Sequence, residues 1–275
     1  MVTFWRRHIL AVTLLIDLMD LRNIALLISY DGADFVGFAR QPDKRSVQQV
    51  LEDSWLAVSG EPVRMVAAGR TDSGVHAVGH VVHFHTGSDL SLNQIPKALN
   101  SQFSKDIAVR DSAVMPLDFD ACQRAISKHY IYSINTGSVR SPLGREYSHW
   151  VPHKLDVSAM REALPYFLGT HDYESFAAAG RTTSTTIRTV THMHIQLIRG
   201  RLFIHVRGKG FLYKMVRNMI GALLEIGKGR RSPIWIKHLL EAKDRSKGGV
   251  TAPAHGLFLY RVHYSPQLFP PSNLF

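Results

Sequence analysis

The spacing of apolar and polar residues changes several times along the chain, and each change predicts an element. Ile24 to Ser29 is an apolar run that reads as a strand and stops at Tyr30-Asp31-Gly32, a turn signal. After a loop carrying Phe35, Gly37, Phe38, Arg40 and Lys44 the period becomes helical, with Val47, Val50, Leu51, Trp55 and Val58 on one face. Ser46 stands at the N-cap of this helix with Gln49 as its capping-box partner, and Gly60 lies beyond its end. Val63 to Ala67 reads as a strand entering the stretch Ala68 to Phe84, and Val78 to Thr86 reads as the outgoing strand. A short helix around Ile95 to Leu99 and a strand from Ile107 complete a first α/β unit.

A second unit starts near Asp118. Ser127 to Asn135 alternates, which puts Tyr130, Tyr132 and Ile134 on one face of a strand. Beyond a polar, arginine-bearing loop that runs to Tyr147, Asp156 caps a helix through Val157, Met160, Leu164, Phe167 and Leu168, bent at Pro165. Ile187 to Leu197 and Leu202 to Arg207 form a hairpin closed at Arg199-Gly200-Arg201. A long helix is expected over Phe211 to Ile226, and another opens at Ser232 with Pro233 in its first position. Leu257 to Tyr264 is the closing strand. The expectation is an α+β protein built twice, with residues 21–117 and 118–275 as its two α/β domains.

Residues 1–20 are expected to be an N-terminal extension. Arg6 and Arg7 precede an apolar run from Ile9 to Ile16, but Asp17 and Asp20 interrupt it, no cleavage signature follows, and the run is far too short to span a membrane. Met19 stands directly before the first strand, so we expect the start to lie there.

Composition narrows the function. Lys and Arg number 33 against 22 for Asp and Glu, a formal charge of +11, which points to a polyanionic partner such as nucleic acid. The single cysteine, Cys122, excludes an internal disulfide framework and a multi-cysteine zinc site, and makes a reducing, cytoplasmic setting the default.

Three residues stand out as chemistry. Asp72 lies on a turn between Gly69 and Gly74 with Arg70 nearby; it either holds the turn by bonding a backbone amide or serves as a nucleophile or base. On the helix Phe211 to Ile226 the apolar arc is roughly 200° wide, against the roughly 100° of a surface helix, and Arg217 stands at its edge. There it either reaches water or finds an anion, and Gly221 one turn on lets another backbone approach. Tyr130 is either a packing residue or a site residue. His76, His80, His83 and His85 follow the Asp72 turn, but strand parity separates His80 from His83 and His85, and no carboxylate completes a metal set. Neither a phosphate-binding loop nor a dinucleotide fingerprint is present, so no metal and no cofactor are expected.

A set of short motifs joins these hints. The chain resembles the tRNA pseudouridine synthase A family over nearly its whole length after Met19. The resemblance rests on Tyr30-Asp31-Gly32, Ser46-Val47-Gln48, Gly69-Arg70-Thr71-Asp72 with Gly74-Val75-His76, Lys128-His129-Tyr130-Ile131-Tyr132, Met215-Val216-Arg217-Asn218 with Gly221, and Ala252-Pro253 with Gly256-Leu257. It implies that Asp72 is the catalytic aspartate, Arg217 its paired arginine and Tyr130 the tyrosine beneath the target uracil. It also implies two pseudo-symmetric α/β domains joined across a central RNA-binding cleft, a homodimer, and a tRNA substrate modified at positions 38, 39 and/or 40 of the anticodon stem and loop. Arg70, Arg40 and Lys44 are then candidates for holding substrate phosphate. The chain departs from the family pattern at Gly37-Phe38-Ala39, where Gly-Trp-Gln is usual, and at Cys122, where arginine is usual. The rival readings are a non-catalytic RNA-binding protein or chaperone using the same basic cleft, and a histidine-dependent metal hydrolase.

Overall fold

Residues 21–180 and 183–270 are described by the computed structural model, so the expectations for residues 1–20 lie outside the described residues. The first half supplies β1 (Arg22–Tyr30), α1 (Val47–Ser59), β2 (Val66–Ala67), β3 (His76–Thr86), α2 (Ile95–Gln102) and β4 (Ile107–Met115). The second supplies β5 (Ser127–Asn135), β6 (His149–Trp150), α3 (Val157–Ala163), β7 (Gly169–Asp172), β8 (Ile187–Ile198), β9 (Arg201–Gly208), α4 (Met215–Gly227), α5 (Trp235–Ala242) and β10 (Leu257–His263). The result is the expected α+β arrangement.

All ten strands join one mostly antiparallel sheet in the order β4-β1-β3-β10-β5-β9-β8-β7, with β2 on β3 and β6 on β5. The last strand ties the halves together. β10 runs antiparallel to β5 from Leu257 opposite Tyr132 to His263 opposite Ser127, and parallel to β3 at Phe258 opposite His76 and Leu259 opposite Ala77. One continuous apolar core follows, in which Trp55, Phe84, Tyr132, Phe167, Met219 and Leu223 are almost wholly buried.

Most elements form where periodicity puts them, and the departures have local causes. Ser46 Oγ accepts from Gln49 N–H at 3.3 Å, but the reciprocal half of the capping box is missing, because Gln49 Oε1 has no hydrogen-bond partner. β2 is shorter than expected because Met65 N–H bonds the carboxylate of Glu52 at 3.0 Å instead of a strand neighbour. The helix capped by Asp156 stops at Ala163 and tightens into a 3₁₀ turn over Leu164–Phe167, since Pro165 has no N–H to donate. α4 begins at Met215 and not at Phe211: Lys214 takes a left-handed φ of 57° in the preceding turn. α5 likewise starts two residues after Pro233, behind a tight turn in which Trp235 N–H reaches Ser232 O at 3.1 Å. The β8–β9 hairpin closes as expected through Arg199 and Gly200, both at positive φ.

Candidate active site

The turn between β2 and β3 carries Gly69 to Gly74, and the loop after β1 closes against it. Phe38 N–H donates to Thr71 O at 3.1 Å, Gly74 N–H reaches Phe35 O at 3.4 Å, and Gly37 and Asp72 form an isolated antiparallel bridge. Two glycines permit this approach. A Cβ on Gly37, whose φ is +116°, would stand 2.8 Å from Thr71 O, and one on Gly32 would stand 2.1 Å from Val75 O. Beneath the turn, Tyr30 Oη lies 2.7 Å from Thr71 Oγ1 and 3.2 Å from His80 Nδ1. Burial pushes His80 down to about 3 and holds Tyr30 well above the usual tyrosine range, so both act as neutral hydrogen-bonding groups. Phe38, one of the departures from the family pattern, packs edge-on against His80 with ring centroids 5.0 Å apart.

The second half of the chain brings the partner. Arg217 Nη1 on α4 donates to Asp72 Oδ2 at 3.0 Å, and the two side chains are only 14 and 18% exposed. The guanidinium is aimed by a second bond, from Nε to Ala252 O at 2.8 Å, while Ala252 N–H returns a bond to Arg217 O at 3.1 Å. Gly221 is where that backbone approach happens: a Cβ there would stand 1.8 Å from Val250 O. Of the two readings left open for Arg217, the structure takes the anion.

Tyr130 lies on β5 between Val206 of β9 and Leu259 of β10 and is 7% exposed. Its ring meets Phe211 edge-on at 5.3 Å. Burial, and then the charge of Asp72, hold its phenol well above the usual tyrosine range, which places the neutral O–H within the field of the carboxylate. Two residues on, Tyr132 Oη donates to Pro253 O at 2.9 Å and its ring feels the charge of Arg217, so the same strand face also supports the segment that holds the arginine.

The other proposed contacts lie differently. Arg70 is exposed beside Asp72 and makes no hydrogen bond or ion pair among the described residues. Arg40 is engaged with protein carboxylates, Glu52 and Asp53, each at 3.2 Å. Lys44 is exposed on the same loop, bridged through its backbone to Gln41. Of the four histidines that follow the turn, only His85 is exposed. His76, His80 and His83 are 2, 0 and 5% exposed, because β3 is covered on both sides. His76 Nδ1 accepts from Gly32 N–H at 3.0 Å and His83 Nδ1 from Ala121 N–H at 3.2 Å. Among the described residues no cluster of three or more His, Cys, Asp or Glu is placed to hold a metal.

Sequence reasoning missed Phe211, which it placed inside a helix, and the segment 249–252 as the support of Arg217. Gly221 was the available signal for the latter.

A carboxylate fixed on a rigid turn, a guanidinium locked onto it and a buried tyrosine beside it can act on one bond without a resident cofactor. The family model described as "tRNA pseudouridine synthase" matches residues 26–122 and 163–265. A tRNA pseudouridine synthase A of Syntrophotalea carbinolica is 44% identical over 244 residues, covering 89% of this chain and 97% of its own length. That of Geobacillus kaustophilus is 44% identical over 247 residues, 90% of this chain and 96% of its own. That of Caldicellulosiruptor bescii is 39% identical over 244 residues, covering 89% of this chain and its own full length. On that family match and those relatives, the chain belongs to the tRNA pseudouridine synthase family.

Proposed function

We propose that this protein isomerises uridine to pseudouridine in tRNA, at positions 38, 39 and/or 40 of the anticodon stem and loop, with Asp72, Arg217 and Tyr130 as its catalytic residues. The observation that carries the reading is the 3.0 Å bond from Arg217 to Asp72, made within a chain of this family. In the reaction the bond from ribose C1′ to N1 breaks, the base turns, and C1′ bonds C5. The C5 proton leaves and N1 gains one, so atoms and charge balance with no external group. Asp72 supplies its carboxylate at the ribose or at the uracil ring. Arg217 keeps that carboxylate charged and oriented, which counts for more in a half-dry cleft than in water. Tyr130 stacks beneath the base and places its hydroxyl at C5, where the oxygen takes the departing proton as the O–H passes its own hydrogen on.

A uridine within a stem must first leave its stack, at a cost of about a few kcal/mol. The exposed cation of Arg70, two residues from Asp72, is the contact best situated to hold phosphate while this happens, with Lys44 and Arg40 as further candidates. The proposal includes a homodimer working in the cytoplasm, where the thiol of Cys122 stays reduced.

The test is tRNA transcribed with uridine tritiated at C5. Native protein should release tritium and leave pseudouridine mapped at positions 38 to 40, and Asp72→Asn should do neither while still binding tRNA. Tight binding by the native protein without tritium release would leave only the RNA-binding reading standing.

A further inference from the structure

The segment that aims Arg217 is itself held by a polar network. Arg217 and Asn218 are neighbours on α4, and Ala252 and Thr251 are neighbours on the strap that crosses it. The two pairs make two rungs. In the first, Arg217 and Ala252 exchange the bonds at 2.8 and 3.1 Å. In the second, Thr251 Oγ1 donates to Asn218 Oδ1 at 2.6 Å. Asn218 is 2% exposed and both ends of its amide are used, for Nδ2 donates to Phe176 O at 2.7 Å.

Arg245 closes the arrangement. Its Nη2 lies 3.1 Å from Asn218 Oδ1, 2.9 Å from Gly249 O and 3.1 Å from Thr251 Oγ1, so one nitrogen grips the helix and both ends of the strap. Among the described residues it has no carboxylate partner. The contact is backbone-tight: a Cβ on Gly249 would stand 3.2 Å from Gly221 C and O. A strap pressed this close to a helix has few positions available, and its carbonyl at Ala252 decides where the Arg217 guanidinium points.

We infer that Asn218, Thr251 and Arg245 are positioning residues for the reaction, setting the rotamer of Arg217 and through it the orientation of Asp72. The inference rests on the reading of Asp72 and Arg217 as the catalytic pair. None of the three needs to touch RNA. Loss of the second rung lets the strap shift and turns Nη1 away from Asp72, and misplacement on this scale costs about tenfold to a hundredfold in turnover.

The experiment uses the full chain with tritiated tRNA and measures kcat, KM and tRNA affinity for Thr251→Val, Thr251→Ser, Arg245→Lys and Arg217→Lys, with Thr251→Val also combined with Arg217→Lys. Thr251→Val, nearly isosteric, should lower kcat about tenfold or more with tRNA affinity within about twofold of native. Thr251→Ser should restore it, because the hydroxyl is what the rung needs. Arg245→Lys should behave like Thr251→Val, since an ammonium cannot span the three oxygens. In the Arg217→Lys background Thr251→Val should add little, because the residue it positions is already gone. Native turnover in Thr251→Val, full additivity with Arg217→Lys, or a loss confined to tRNA affinity would each overturn the inference. The native protein run alongside separates the two levels: no pseudouridine from it refutes the proposed reaction, whereas unimpaired Thr251→Val refutes only the positioning role.

Discussion

Arg217 Nη1 stands 3.0 Å from Asp72 Oδ2, joining residues 145 positions apart, one on the turn before β3 and the other on α4. The bond is one of two that fix the guanidinium, the other going to Ala252 O. An exposed ion pair contributes about 0–1 kcal/mol, but this one is mostly shielded and its geometry is held by backbone. Its value is orientation. Arg217→Lys keeps the charge and loses the planar fork, so it cannot hold Asp72 and Ala252 O together. We expect kcat to fall about a hundredfold with most of the tRNA affinity kept, read by single-turnover tritium release beside a binding titration. Native turnover in this variant would remove Arg217 from catalysis.

Tyr130 is held neutral, and the consequence is visible in a pH profile. Its ionisation lies above the ordinary tyrosine value of 10.0, first through burial and then through Asp72. The pH–rate profile should therefore show no inflection from this phenol near 10.0. Tyr130→Phe preserves the edge-on packing against Phe211 and the stacking surface, so tRNA affinity should hold while turnover falls about a hundredfold. Unchanged turnover would reduce Tyr130 to a packing residue.

Gly221→Ala should destabilise the protein. The new methyl carbon would meet Val250 O at 1.8 Å, and that oxygen belongs to backbone held by Arg245 and Thr251. Overpacking of this kind costs about 1–3 kcal/mol, and the shift of the strap should lower kcat as well. Gly87→Ala is the control, because a Cβ there meets nothing within 4 Å. Equal urea midpoints for the two variants would contradict the close contact.

Acid should unfold the protein from a milder pH than its carboxylates dictate. Burial pushes His80 and His129 down to about 3, and His149, His205 and His263 to about 4, from an ordinary value of 6.5. Below 6.5 the unfolded chain binds protons that the native state refuses, so stability falls as pH drops from 6.5 toward 4 and these groups contribute no slope above 6.5. Urea midpoints measured across that interval should decline steadily. A flat response between pH 6.5 and 4 would show that these imidazoles protonate in the folded protein.

Much of the fold was legible because local rules decide local structure. The alternation of Tyr130, Tyr132 and Ile134 marked β5, Ser46 and Gly60 marked both ends of α1, and Arg199-Gly200 marked the β8–β9 turn. What local rules cannot weigh is competition from a distant group. The carboxylate of Glu52 took the amide of Met65 out of β2, and the turn that seats Phe211 against Tyr130 delayed the start of α4.

The same division holds for the site. By itself the sequence determined that Asp72 sits on a glycine-flanked turn, that Arg217 stands at the edge of a nearly all-apolar helix, and that Gly221 leaves room for another backbone, since each follows from residue type and spacing. Through its motifs it also pointed to the family. Residue type and spacing left the anion meeting Arg217 open and the family resemblance named Asp72; only the tertiary structure put the two 3.0 Å apart, and only it decided that Ala252 and the strap held by Asn218, Thr251 and Arg245 aim the guanidinium, and that His76, His80 and His83 are buried while His85 is exposed. Those facts depend on β10 closing the sheet between β3 and β5, a long-range pairing that no window of sequence contains.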